Sequence, residues 1–280
     1  MKEERKLGIL AGEGDLPLAL REHCERTKRP FFIVALKGYG ERACQGLAAD
    51  QYHIGRLGNV GAFVRAGKKA GVQDVVLAGS FSSPSLSSLW PDFAMLKILL
   101  QLGFRLGADD TALKAVANSI DSYGFKLVGV HQIMQDLLAV RGVYSAQKPK
   151  QGDWQDIARG YKVAKALGEL DVGQGCIVQG GYVLGVETVE GTDALIARAG
   201  QQARYQQKGC LIKTMKPQQD QRMDMPTVGP ETLKALHRAG FKGLAVEAGA
   251  SLILHYDECC ALANKLGLFF LGFSAEDLEA

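Results

Sequence analysis

Between Lys213 and Gly229 the sequence places Lys213, Lys216, Asp220, Arg222 and Asp224 within a dozen residues, just ahead of Pro226, Gly229 and Pro230. Cations and carboxylates interleaved at this density suit phosphoryl chemistry. Ammonium and guanidinium groups hold the nonbridging oxygens of a diphosphate, while a carboxylate binds a divalent cation or orients water. The same spacing also describes a solvated charged loop, and spacing alone leaves both readings open. Upstream, Gly191-Thr192-Asp193 ends a strand region and opens a helix, where Thr192 or Asp193 caps the first turn and Gly191 lets a phosphate come close. Glu187 and Glu247 end apolar strands, where α/β sites gather; each could reach a metal or a ribose, or sit buried on backbone N–H groups.

A second candidate lies near the N-terminus. The run Gly12-Glu13-Gly14-Asp15-Leu16-Pro17 follows an apolar strand and precedes a helix, so Gly12, Gly14 and Asp15, with Gly79 after a later strand, are candidates for anion contact at a helix N-terminus. A tight strand-to-helix turn with Pro17 in the first helical turn accounts for the same residues. The dinucleotide fingerprint wants a third glycine where Pro17 stands, and the second strand ends in Leu36-Lys37 rather than in an acid, which disfavours NAD.

Other chemistries lose their usual support. No GxSxG elbow, HExxH helix or GxxxxGK[ST] loop occurs. His53, His131, His237 and His255 have no partners at metal spacing and read as structural or surface residues. The cysteines at 24, 44, 176, 210, 259 and 260 form no CxxC pair, which fits reduced thiols, the vicinal Cys259-Cys260 being small packing residues in a helical pattern. A net charge of +3 comes from cations scattered among nearly as many acids, without the basic stripe of a nucleic-acid surface. The charged start and early Gly12-Asp15 turn leave no signal-peptide core, and Leu89–Leu106 is broken by Pro91, Asp92, Lys97 and Arg105, so the expectation is a cytoplasmic chain without a transmembrane helix.

Positioning these residues requires strands and helices in alternation. Short apolar runs at Leu7–Ala11, Phe31–Leu36 and Asp74–Ala78, separated by helical stretches such as Val60–Ala70, imply a Rossmann-like parallel sheet. Further helices are expected at Asp92–Phe104 and Asp110–Tyr123, the latter capped by Asp109, and a strand at Lys126–Val130. The polar, aperiodic Arg141–Asp153 reads as a linker, giving domains 1–145 and 146–280. The second half offers a helix from Trp154, a hairpin Cys176–Gln179/Tyr182–Glu187 turned by Gly180-Gly181, strands Cys210–Lys213, Leu244–Glu247 and Leu268–Phe273, and helices from Asp193, Pro230 and Asp257. The fold class is α/β, an N-terminal Rossmann-like domain plus a C-terminal mixed α/β domain of distinct fold.

The segments LGILAGEGDLP (Leu7–Pro17), DVVLAG (Asp74–Gly79), ALGELDVGQ (Ala166–Gln174), VEGTDALI (Val189–Ile196), KPQQDQRMDMPTVGPETL (Lys216–Leu233) and AVEAG (Ala245–Gly249) together resemble the LpxI family of UDP-2,3-diacylglucosamine pyrophosphatases. That resemblance implies hydrolysis of a glycolipid nucleotide to 2,3-diacylglucosamine 1-phosphate (lipid X) and UMP in lipid A biosynthesis, with Mg2+ or Mn2+. It implies an essential aspartate at Asp224, in DxRxDxP, and a homodimer. On this reading Asp224, Asp193, Asp220 and Glu247 are candidate metal contacts, and Thr192, Lys213, Lys216 and Arg222 candidate phosphate contacts. The family has a glycine where this chain has Glu13, and basic residues where it has Ser80, Ser82 and Ser83, so the N-terminal loops carry a weaker grip on phosphate. Acyl chains suggest contact with the cytoplasmic face of the inner membrane, for which Phe93, Leu96, Leu99, Leu100 and Phe104 form a candidate face; the same face suits core or dimer interface. The rival reading is a non-catalytic sugar-nucleotide-binding protein.

Overall fold

Three buried apolar pentads and hexads set the first sheet. In the computed structural model, which describes residues 4–56, 58–80, 92–96, 109–202 and 209–278, the chain divides into two units, 1–135 with 221–224, and 136–220 with 225–280. In the first unit the strands β1 (Leu7–Ala11), β2 (Phe31–Leu36), β3 (Tyr52–Gly55), β4 (Asp74–Ala78) and β5 (Lys126–Leu127) form one parallel sheet in the order β3-β2-β1-β4-β5. Leu7, Ile9 and Ala11 of β1 are fully buried, as a strand with neighbours on both edges and helices on its faces requires. Helices α1 (Leu16–Thr27), α2 (Val60–Lys69), α3 (Asp109–Ser122) and the single turn α4 (Val130–Ile133) connect or follow these strands. Strand order reverses between β1 and β4, the switch point where ligands of such sheets gather. At the opposite edge, Asp74 is buried and takes Arg5 at 2.7 Å and Arg29 at 3.1 Å, which fastens the chain start to the sheet.

Several expectations need correction here. The strand Lys126–Val130 stops at Leu127, because Gly129 N–H donates to Gln132 Oε1 and the chain turns into α4. Asp109 is the first residue of α3 rather than its cap. The division between units falls at Gln135/Asp136 instead of 145, since β6 (Gly142–Val143), inside the expected linker, pairs antiparallel with the last strand of the second unit. Of the expected apolar face, Phe93 and Leu96 are exposed. Leu99, Leu100, Phe104, Ser82 and Ser83 lie outside the described residues.

The second unit is built on a mixed sheet of order β6-β13-β11-β9-β7-β8, from β7 (Gly175–Gln179), β8 (Tyr182–Val186), β9 (Cys210–Lys213), β11 (Gly243–Glu247) and β13 (Phe269–Phe273), with a separate parallel pair β10 (Thr227–Val228) and β12 (Leu252–Ile253). Strands β9, β11 and β13 are mutually parallel, and β7 runs against both β8 and β9. Alternate residues feed two cores. Ile177, Leu211, Leu244, Val246 and Phe270 pack towards α6 (Gly191–Gln202), α7 (Pro230–Arg238) and α8 (Tyr256–Leu266). Val178, Cys210, Ile212, Ala245, Leu271 and Phe273 pack against Ile157 and Ala164 of α5 (Gln151–Glu169). Each buried Leu, Ile or Phe contributes about 1.5–3 kcal/mol.

The β7–β8 hairpin closes on Gly180 (φ 55°) and Gly181 (φ 81°), both in the left-handed region that a two-residue hairpin turn demands. Their N–H groups donate to the buried carboxylate of Asp156 on α5, at 2.9 and 2.7 Å. That one side chain sets the position of the helix along the sheet. Asp156→Ala should lower stability by about 2–4 kcal/mol in a denaturant titration, because two N–H groups lose a charged partner, and Asp156→Asn, which keeps one acceptor, should lose about half as much.

Candidate functional site

In the parallel part of the second sheet, the residues that close β9 and β11 face the same edge: Lys213 ends β9, Glu247 ends β11, and Lys213 lies beside Val246 in register. Glu187 follows β8 and donates its N–H to Gly175 O at 2.8 Å, while Gly175 lies opposite Lys213 across β7–β9. The sheet thus gathers one ammonium and two carboxylates at its carboxyl edge. Lys213 is 3% exposed, and an ammonium that deep must be paired. Its Nζ donates to Thr192 Oγ1 at 2.6 Å and lies 3.4 Å from Glu187 Oε1, and the Thr192 hydroxyl donates to the same Glu187 oxygen at 2.6 Å. Thr192 sits in the first turn of α6, so the cluster lies at the positive end of a helix dipole. Glu187 Oε2 and Thr214 Oγ1, both buried, have no hydrogen-bond partner among the described residues.

A second cluster neighbours it. Glu247 Oε2 accepts from Lys165 Nζ at 2.8 Å and from Met215 N–H at 2.9 Å, and Lys165 also donates to Met215 O. Lys216 is paired with Asp171 at 2.6 Å, and its N–H donates to Gln219 Oε1. The start of the charged loop is therefore held along its length by α5 and the turn after it. Of the expected phosphate contacts, Thr192 and Lys213 are brought together and Gly191 adjoins them, whereas Lys216 faces Asp171. Asp193 is exposed in the first turn of α6. Asp220, Arg222 and Asp224 are half-buried, and the short segment Gln221–Asp224 groups with the first unit, where Met223 packs with Leu77, Ala117 and Leu127.

In that unit, Gly12 and Gly79 lie on adjoining loops at the switch point of the first sheet. The Gly12 N–H donates to Ala78 O, and Glu13 and Ser80 exchange both backbone hydrogen bonds. Gly79, at φ 87°, has no room for a side chain, since a Cβ there would stand 2.2 Å from Glu13 O. These glycines let two loops lie backbone to backbone, so the N–H groups of Gly12 and Glu13 are committed to protein carbonyls. Asp15 pairs with Arg42 at 2.7 Å at the surface.

Sequence reasoning named Glu187 only as a strand-end carboxylate and missed Lys165 and Asp171. Both sit on or just after a long amphipathic helix, where charged residues are commonplace and carry no signal. Among the described residues no group of three or more His, Cys, Asp or Glu stands close enough to hold a metal ion. No described helix is long and apolar enough to cross a membrane.

The cysteines are structural. Burial pushes Cys24 and Cys44 up to about 11 and Cys176 and Cys259 up to about 12, and Cys210 well above the ordinary thiol range. A thiol whose folded pKa lies above its unfolded one contributes stability below the ordinary value near 9.0 and loses it as pH rises towards 12. Alkylation at pH 8 should thus leave these five thiols intact until the protein unfolds, with half-buried Cys260 reacting first. Mass mapping of the labelled cysteines checks this.

Two family models match the chain, the LpxI N-terminal domain over residues 6–137 and the LpxI C-terminal domain over residues 140–271. The chain is similar to the UDP-2,3-diacylglucosamine pyrophosphatase LpxI of Caulobacter vibrioides, at 36% identity over 281 residues, which is 98% of this chain and 99% of that one. A crystal structure of N5-carboxyaminoimidazole synthase from Aspergillus clavatus aligns with a TM-score of 0.27 and 16% identity over 68% of this chain and 42% of that one, a likeness too slight to carry an argument.

The paired cluster makes a test of its own. Glu187→Leu leaves the Lys213 ammonium buried with a hydroxyl as its remaining partner and should cost about 3–5 kcal/mol. Lys213→Met combined with Glu187→Leu should cost clearly less than the sum of the single changes, in a double-mutant cycle read by chemical denaturation.

Proposed function

Because the chain belongs to the LpxI family, we propose that it hydrolyses the pyrophosphate of UDP-2,3-diacylglucosamine to 2,3-diacylglucosamine 1-phosphate and UMP, a step of lipid A biosynthesis. The observation that carries the chemistry is the buried Lys213–Thr192 pair, braced by Glu187, at the carboxyl edge of a sheet and the start of α6. A fixed ammonium at the positive end of a helix dipole is a preorganised holder for phosphate oxygens. Water adds across the anhydride: its oxygen bonds to one phosphorus, the bridging P–O bond breaks, and the bridging oxygen leaves with the other phosphate as a proton is released. On this reading Lys213 and Thr192 hold and orient phosphate oxygens, Arg222 carries further phosphate charge, and Asp224 orients the attacking water or holds a divalent cation.

Mg2+ or Mn2+ is the proposed cofactor. Such an ion neutralises charge on the diphosphate and is ordinarily held by one or two carboxylates with the substrate's own phosphates, so a protein-only cage is not required. Asp220 and Asp224 are the residues that suit this mode. Asp193 remains a candidate at the start of α6, while Glu247 already holds Lys165 and Met215 N–H through Oε2, which fits it to brace the loop. Homodimer formation and transient contact with the cytoplasmic face of the inner membrane belong to the same proposal, the latter because the diacylated substrate resides there.

Incubation with UDP-2,3-diacylglucosamine, with Mg2+, Mn2+ or EDTA, followed by mass detection of UMP and the lipid phosphate, tests the reading. Turnover should require the ion, and Asp224→Ala should lower it by about 10²- to 10³-fold or more with unfolding behaviour unchanged. Saturable binding without product would favour a sugar-nucleotide-binding protein instead, and wild-type turnover in Asp224→Ala would remove Asp224 from the chemistry.

A further inference from the structure

His131 carried no signal in the sequence, yet it stands beside the segment that bears Asp224. Both belong to the first unit. A Cβ placed on Gly129 would lie 2.5 Å from His131 Cε1, 2.7 Å from its Nδ1 and 3.1 Å from the Cα of Arg222, so the imidazole and the Arg222 backbone flank the same point, and only glycine leaves room for both. One residue on, Met223 is anchored among Leu77, Ala117 and Leu127. The segment thus has an apolar anchor at Met223, and at Arg222 its backbone shares the space around Gly129 with the imidazole. The ring's Nδ1 is buried and has no hydrogen-bond partner among the described residues. A buried polar nitrogen without a partner is costly, and where one persists beside a functional loop it calls for an explanation.

We infer that His131 is a positioning residue for Gln221–Asp224: its ring and the Arg222 backbone both border Gly129, and its Nδ1 supplies the hydrogen bond that sets this segment when substrate is bound. This rests on the pyrophosphatase reading, in which the segment carries Arg222 and Asp224. Substrate contact is left to those two side chains, and His131 acts through them. Gly129 is part of the same device, because any side chain there drives the ring away from the segment.

The test uses the full-length protein with UDP-2,3-diacylglucosamine, steady-state kinetics and thermal unfolding of wild type, H131A, H131N, H131Q and G129A. Misplacement of a reacting group costs rate more than binding, so H131A should lose about tenfold or more in kcat with KM within about twofold of wild type. H131N places an amide where Nδ1 was and should recover most of the loss, whereas H131Q, whose amide reaches the Nε2 position, should not. G129A should match H131A although the histidine is intact, and the double variant should be no worse than either. Wild-type kcat in H131A, or equal impairment of H131N, H131Q and H131A, would overturn the inference by leaving His131 with packing alone. If H131A does not fold, the contrast between H131N and H131Q decides. Absence of hydrolysis by the wild-type protein would instead count against the pyrophosphatase reading itself.

Discussion

A lysine ammonium buried at the end of a central strand has to be met by fixed partners, and much of the second unit is arranged around that need. Lys213 is delivered to its place by β9, between β7 and β11, and cannot be withdrawn without breaking register on both sides. Glu187 meets it from the far side of β7 and Thr192 from the start of α6. In the interior an unpaired charge costs several kcal/mol, so these partners are a condition of folding. The same arrangement would suit the proposed phosphate binding, since an ammonium already desolvated and held by its neighbours has little left to reorganise.

The charged loop that follows is ordered by similar means. Glu247 holds its first residues through Lys165 and the Met215 N–H, Asp171 takes Lys216, and Gln219 accepts from the Lys216 backbone. Then the chain leaves the second unit for four residues, and Met223 enters the first unit's core before β10 begins. One buried methionine anchors this short excursion, and its neighbours Arg222 and Asp224 group with the first unit.

Much of this was legible in the residues. LGILA, FFIVAL, DVVLA and CLIK are strands at the expected bounds, because a buried parallel strand is a short apolar run that little else imitates. Gly180-Gly181 turns the hairpin as expected, since few other residue pairs adopt two positive φ angles. What escaped is short or long-range. The two-residue strands β6, β10 and β12 carry no periodicity, and β3 is too polar and half-exposed to stand out. At the site, Lys213 and Thr192 were legible as residue types, and their meeting rests on β9 and α6 being brought to one edge by the sheet order. The first glycine turn shows the opposite lesson: a phosphate-loop pattern whose leading N–H groups serve the adjoining loop.

The hydrolysis proposed for this chain adds water across a diphosphate and so carries one water oxygen into the products. Mass spectrometry of the products formed from UDP-2,3-diacylglucosamine in 18O-enriched water tests it most directly. A single 18O in one of the two phosphates, either UMP or the lipid phosphate, is the predicted result; intact substrate, or products that carry no label, would contradict it.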